Sequence, residues 1–258
     1  MIKFMRGFLS SALKINRTYL KFGILTGCLR IARESIFSGL NNLKVYGISE
    51  TKYADTFGFT QEETNALLSS AGLSCMKQEL KEWYDGYCFG KQQEMYCPWS
   101  IMNFLEALQE DADTRPQPYW LNTSDNALIK RLFPGKYLEM VDGIASLVSG
   151  GVLETQVNLT PTYESLDSSP KNLWSLLYLS GYLTKASEEQ TRQVALSPSP
   201  RKNEIALVIP NREIREIFEE EVQNWFDEAV SNEQQSVPLK LSGRRTLLAS
   251  RMSSKPFF

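Results

Sequence analysis

The chain has 258 residues, 42% of them hydrophobic and 22% charged, the make-up of an ordinary globular protein long enough to bury a core. A formal net charge of -2 and a pI near 5.5 exclude a global attraction to nucleic acid or anionic membrane, so any such contact must come from a local patch. Histidine is absent, which excludes Ser-His and Cys-His nucleophile pairs and every His-ligated zinc site.

The N-terminal stretch MIKFMRGFLSSALKINRTYLKFG starts basic, but Arg6, Lys14 and Arg17 interrupt its apolar residues. It reads as a surface helix and not as a secretory leader. An apolar stripe of Ile2, Met5, Phe8, Leu9, Ala12, Leu13 and Ile15 predicts a helix over 2–18. Leu20–Thr26, ahead of Gly27, predicts a short buried strand, and 43–48 a second. One helix and two strands do not cover a sheet, so 1–50 reads as the trailing part of an α/β layer whose beginning is missing. Cys28, Cys75, Cys88 and Cys97 form no CxxC pair and read as reduced, buried thiols of a cytoplasmic protein. No apolar run approaches the roughly 18 residues of a membrane span.

From Thr60 the pattern turns helical, and residues 51–110 read as one helical unit. Thr60 and Glu63 have capping-box spacing ahead of Leu67 and Leu68. A second helix is predicted from Ser74 to Trp83, ending in the turn-rich YDGYCFG, and a third from Pro98 to Leu108. The stretch EDADTRPQP (110–118) reads as a boundary loop. Beyond it, 111–235 predicts a helix at 171–178, an extended GYLT, a hairpin of strands 193–197 and 204–209, and a helix at 212–230. That order suits a winged helix and also plain α+β domains. Residues 236–258 carry five Lys or Arg, five Ser and no acid; they read either as a disordered basic tail or as out-of-frame translation.

The segments FGILTGCLRIARESIFSGLNNLKVYGI (22–48), FGFTQEE (57–63), WYDGYCFG (83–90), YCPWSIMNFL (96–105), YWLNTSDN (119–126), NLWSLLYLSGYLT (172–184) and IPNREI (209–214), in this order, resemble the AAA-ATPase-like family. In that family a P-loop ATPase core with a helical lid is commonly fused to a PD-(D/E)XK nuclease-like domain. The resemblance implies an α+β, mainly helical chain: the C-terminal remnant of a P-loop α/β core, a helical lid and a winged-helix-like region. It implies ATP and Mg²⁺ as cofactors of the full-length family and none for this fragment, which reads as truncated at both ends. No GxxxxGK[ST] occurs anywhere in the chain, so no catalytic residue is assigned.

The resemblance points to Thr26 and Arg30 as a nucleotide-sensing pair. A hydroxyl at a strand end reaches the γ-phosphate or its water, and a guanidinium stabilises developing phosphoryl charge. The alternative is that Thr26 caps a turn and Arg30 pairs with Glu34 one helical turn on. Arg33 and Asn41 are further polar candidates. In WYDGYCFG the lid reading competes with a helix-ending turn whose aromatics Trp83, Tyr84, Tyr87 and Phe89 fill core, with Asp85 left open. Asn122, Thr123, Ser124 and Asp125 read as a helix-cap cluster first and a binding loop second. No spacing selects a carboxylate pair from Asp125, Glu139, Asp142 and Glu154. Lys171, Lys185, Arg192, Arg201 and Lys202 would suit DNA phosphates on a winged helix, yet five Glu within 212–222 favour a protein or interdomain contact. The expected partners are therefore the missing ATPase and nuclease-like domains or another protein. Weak, nonspecific nucleic-acid binding is expected from the basic tail, and no membrane contact. A non-catalytic helical interaction module is the competing function.

Overall fold

The structure, a computed structural model, describes residues 2–27, 44–120, 138–160, 169–193 and 204–233. These form an α+β assembly in which helices predominate over two small antiparallel sheets. Helix α1 (Ile2–Leu13) is followed by a 3-10 turn at Ile15–Thr18, so the helix predicted over 2–18 tightens near its end. Its apolar stripe packs only in part: Leu9 is buried and Ala12 and Leu13 are half-buried, while Met5, Phe8 and Ile15 stand exposed, as do Phe4, Tyr19, Phe22 and Ile24 around them. The strands predicted at 20–26 and 43–48 are corrected, because 21–27 is irregular and exposed and 44–47 is irregular chain running into a turn. A strand is defined by its ladder to a neighbour, and among the described residues no strand lies beside either segment.

The helical unit begins at α2 (Gln61–Ser70). Thr60 and Glu63 make the reciprocal capping box that their spacing predicts, with Glu63 N–H donating to Thr60 Oγ1 at 3.2 Å and Thr60 N–H to Glu63 Oε2 at 2.9 Å. Helix α3 (Lys77–Tyr84) follows a 3-10 turn at Ser74–Met76. The hairpin β1 (Tyr87–Phe89) and β2 (Gln92–Met95) fills the turn-rich stretch, and α4 (Pro98–Glu110) starts on Pro98. Leu68, Leu80, Trp83, Tyr84, Tyr96, Ile101 and Phe104 close around one core. Trp83 and Tyr84 come from WYDGYCFG, so the core-filling role expected of them holds, and Tyr96 and Phe104 come from YCPWSIMNFL.

The second unit holds α5 (Leu138–Val148), β3 (Leu153–Gln156), α6 (Pro170–Leu179), β4 (Thr184–Lys185), α7 (Glu188–Gln193), β5 (Glu204–Val208) and α8 (Arg212–Glu233). Strand β5 lies between β3 and β4 and pairs antiparallel with both, Leu153 opposite Leu207 and Thr184 opposite Val208. Met140, Ile144, Leu147, Leu177, Leu183, Leu207, Ile214, Ile217 and Phe218 form its core. Of the hairpin predicted at 193–197 and 204–209, the second strand is β5. Gln193 belongs instead to α7, and 194–197 lie outside the described residues.

Cys88 N–H donates to Thr184 Oγ1 at 2.9 Å, joining β1 to the edge of this sheet, and α3 packs on α8. Cys75 is exposed, a correction to the buried thiol expected there, while Cys88 is buried. Among the described residues no helix is long and apolar enough to cross a membrane.

Candidate functional site at the junction of α3, α4 and α8

Two glycine- and proline-marked turns meet where the units join. Helix α3 ends at Tyr84, Asp85 turns extended, and Gly86 takes φ +109, a left-handed conformation open mainly to glycine. A Cβ at Gly86 would collide with the Pro210 carbonyl oxygen, so the two backbones touch only because residue 86 has no side chain. Pro210 also stops β5, and Asn211 caps α8: its Oδ1 accepts from Ile214 N–H at 3.1 Å. YDGY and PNRE are therefore the two faces of one contact.

Arg212 lays its guanidinium 4.4 Å from the Trp83 ring centroid while its Nε donates to Glu216 at 3.1 Å. The next residue, Glu213, is fully buried. Its Oε2 accepts from Ser100 Oγ at 2.7 Å and its Oε1 from Trp120 N–H at 3.1 Å, tying α8 to the start of α4 and to the loop behind it. Burial pushes its carboxyl up to about 7, offset in part by the hydrogen bonds from Ser100, Trp120 and Tyr119. Trp120 Nε1–H donates to Cys97 Sγ at 3.3 Å, and its ring stands edge-on to Tyr182, which in turn meets Phe218. The Tyr84 hydroxyl donates to Gln117 O at 2.9 Å and accepts from Gln117 N–H at 3.0 Å.

Asp85 is 5% exposed, and burial pushes its carboxyl up to about 6, with the Gly86 N–H and Lys81 pulling the other way. Lys81 stands 3.8 Å from Asp85 but only 2.6 Å from Glu94, which is its principal partner. Between α3 and α8 lies an open cleft of about 730 Å³, lined in part by Lys81, Asp85, Asn211, Arg212, Arg215 and Glu219.

Of the pair proposed for nucleotide sensing, only Thr26 is among the described residues. Thr26 is exposed in irregular chain, not at a strand end; Arg30, Arg33 and Asn41 lie outside the described residues. Asn122, Thr123, Ser124 and Asp125 also lie outside the described residues, as do Arg201, Lys202 and 236–258, while Asp142 and Glu154 are exposed. Lys171 donates to Gln156 and Arg192 pairs with Glu188 and Glu189, all at the surface, and Lys185 is exposed. Leu173 to Tyr178 are all buried, so this run of α6 offers no free groove-reading face. Among the described residues no cluster of three or more Cys, Asp or Glu could hold a metal ion.

Sequence reasoning missed Glu213, Ser100 and Asn211. One signal was present: Glu213 lies one turn before Ile217 and beside Ile214, on the apolar face of its helix. No protein-family model matches the chain, and no solved structure matches it. The chain is 24% identical over 212 residues to a protein of Azotobacter chroococcum mcd 1 described as the uncharacterized protein in vnfD 5'region. The match takes in 80% of this chain and 35% of that relative, so the chain spans about a third of the length of the curated relative it resembles.

Proposed function

We propose that this chain is the lid and winged-helix part of an AAA-ATPase-like protein, a non-catalytic coupling piece that works with a P-loop core and a nuclease-like domain. The observation that carries this reading is the convergence of separate motif segments on one junction. Trp83 and Gly86 of WYDGYCFG, Ser100 of YCPWSIMNFL, Trp120 of YWLNTSDN and Asn211 to Glu213 of IPNREI all meet there. These motifs serve to fix one unit against the other, as a lid that passes movement to a neighbouring domain requires. The sheet order β3-β5-β4, with the last strand between its predecessors and a helix before β4, supports the winged-helix part. The free thiols Cys75, Cys88 and Cys97 support a cytoplasmic setting.

Nucleotide chemistry belongs, in this reading, to a core bearing the phosphate loop, and Thr26 and Arg30 act only when that core is beside them. The test is calorimetric titration of the chain with ATP and Mg²⁺, expected to give no saturable heat up to millimolar ligand. Saturable micromolar binding would mean that the chain holds a nucleotide site of its own. The second reading, a helical interaction module, rests on the exposed Phe4, Phe8, Ile15, Phe22 and Ile24 of the N-terminal segment.

A further inference from the structure

The N-terminal segment joins two properties, an unbalanced positive charge and an uncovered apolar surface. Residues 2–27 hold Lys3, Arg6, Lys14, Arg17 and Lys21 and no Asp or Glu, although the chain as a whole carries a net charge of -2. Phe4 and Phe8, four positions apart and 72% and 58% exposed, share one face of α1, with Met5 beside them. The apolar surface continues past the helix through Ile15, Tyr19, Phe22 and Ile24, all more than two-thirds exposed. Lys21 Nζ stands 5.7 Å from the Phe22 ring centroid, so cation and ring lie side by side.

That pairing of charge and apolar area narrows what covers the segment. A second copy of it would set five cations against five more. A folded acidic groove would have to match side chains spread over a helix, a 3-10 turn and irregular chain. A fluid lipid surface needs no such match: apolar side chains enter the boundary between headgroups and acyl chains, while Lys and Arg stems reach up to anionic headgroups. Helix α1 has 12 residues and is about 18 Å long at about 1.5 Å per residue. The hydrocarbon layer is about 30 Å thick, so such a helix lies on the surface and does not span it.

We infer that the N-terminal segment binds the surface of an anionic lipid bilayer, with Phe4, Met5, Phe8 and Phe22 entering the interface and Lys3, Arg17 and Lys21 meeting the headgroups. The segment is the local patch that the net charge of the chain conceals, and the inference replaces the absence of membrane contact expected from the sequence. It rests on the interaction-module reading of this segment.

Co-sedimentation of the whole chain with vesicles of phosphatidylcholine alone, and of phosphatidylcholine with about a third phosphatidylserine, tests this. The expected result is saturable binding to the anionic vesicles, at least about tenfold tighter than to the zwitterionic ones, with slower amide exchange across 2–13 on the vesicles. The double variant Phe4→Ser/Phe8→Ser leaves every charge in place, including those of 236–258, and is expected to weaken binding about tenfold. Lys3→Gln/Lys21→Gln is expected to weaken it as well and serves if the first variant unfolds. Equal binding to both vesicles or unchanged affinity in the folded variants would overturn the inference. So would tighter binding to poly-L-glutamate than to the anionic vesicles, the mark of an acidic protein partner. Exchange across 2–13 that is fast with and without vesicles would overturn the lipid inference alone. Exchange already slow without them would show the segment covered within the chain and would overturn the interaction-module reading with it.

Discussion

At Glu213 a carboxyl sits in the interior with both oxygens engaged, and its proton affinity is the measurable consequence. The folded value of about 7 lies above the ordinary 4.5, so the folded state holds this proton more tightly than the unfolded chain does. Its contribution to stability is greatest below pH 4.5 and is lost as pH rises through 7. The shift corresponds to about 3 kcal/mol across that window, at about 1.4 kcal/mol per unit. Asp85, raised to about 6, has the same sign over a lower window. Denaturant unfolding at pH 5 and pH 8 is expected to show the wild type more stable at pH 5, and Glu213→Gln is expected to remove most of the difference. An unchanged slope in that variant would place the titration elsewhere. Gly86 is the second sensitive residue. Gly86→Ala adds left-handed strain and a clash with Pro210, and is expected to cost about 2 kcal/mol or more by thermal unfolding. A cost below half that figure would mean the contact yields easily.

Single elements differ in how far their own residues specify them. Helix α2 carries its start signal in four residues, and Thr60→Ala, which removes the acceptor for Glu63 N–H, is expected to cost about 1 kcal/mol. Retained stability in that variant would show that packing of Leu68 alone holds the helix. Pro98 likewise marks the start of α4, and Gly86 marks the turn after α3, which is why these were legible in the sequence. The apolar stretches at 20–26 and 43–48 were not, because an apolar run states what a segment would bury and not which neighbour pairs with it. Glu213 was hidden for the related reason that its partners, Ser100 and Trp120, are more than 90 positions away in sequence. The turns and caps of the site were visible in single motifs; the fact that these motifs touch each other was not.

Across the whole molecule the junction determines whether the helical unit and the sheet unit behave as one body. Ion pairing there is modest, since Lys81, Arg212 and Glu216 are partly exposed, and such pairs contribute little. What joins the units is buried: the Glu213 bonds, the Gly86–Pro210 backbone contact and the aromatic chain from Trp120 through Tyr182 to Phe218. The N-terminal segment lies at the other extreme, with most of its large apolar side chains exposed, and 2–27 is expected to exchange its amide hydrogens fastest among the described residues.

Native-state hydrogen exchange on the wild type and on Glu213→Leu tests the coupling most directly. Leucine leaves the Ser100 hydroxyl and the Trp120 N–H buried without an acceptor, a loss of about 1–3 kcal/mol. If the junction couples the units, the slowest amides of α3 and α4 and those of α5 and α8 share one opening free energy in the wild type. All of them then fall by the same amount in the variant. Weakened protection confined to α8, with α3 and α4 unchanged, would contradict the account and show two units that fold and open separately.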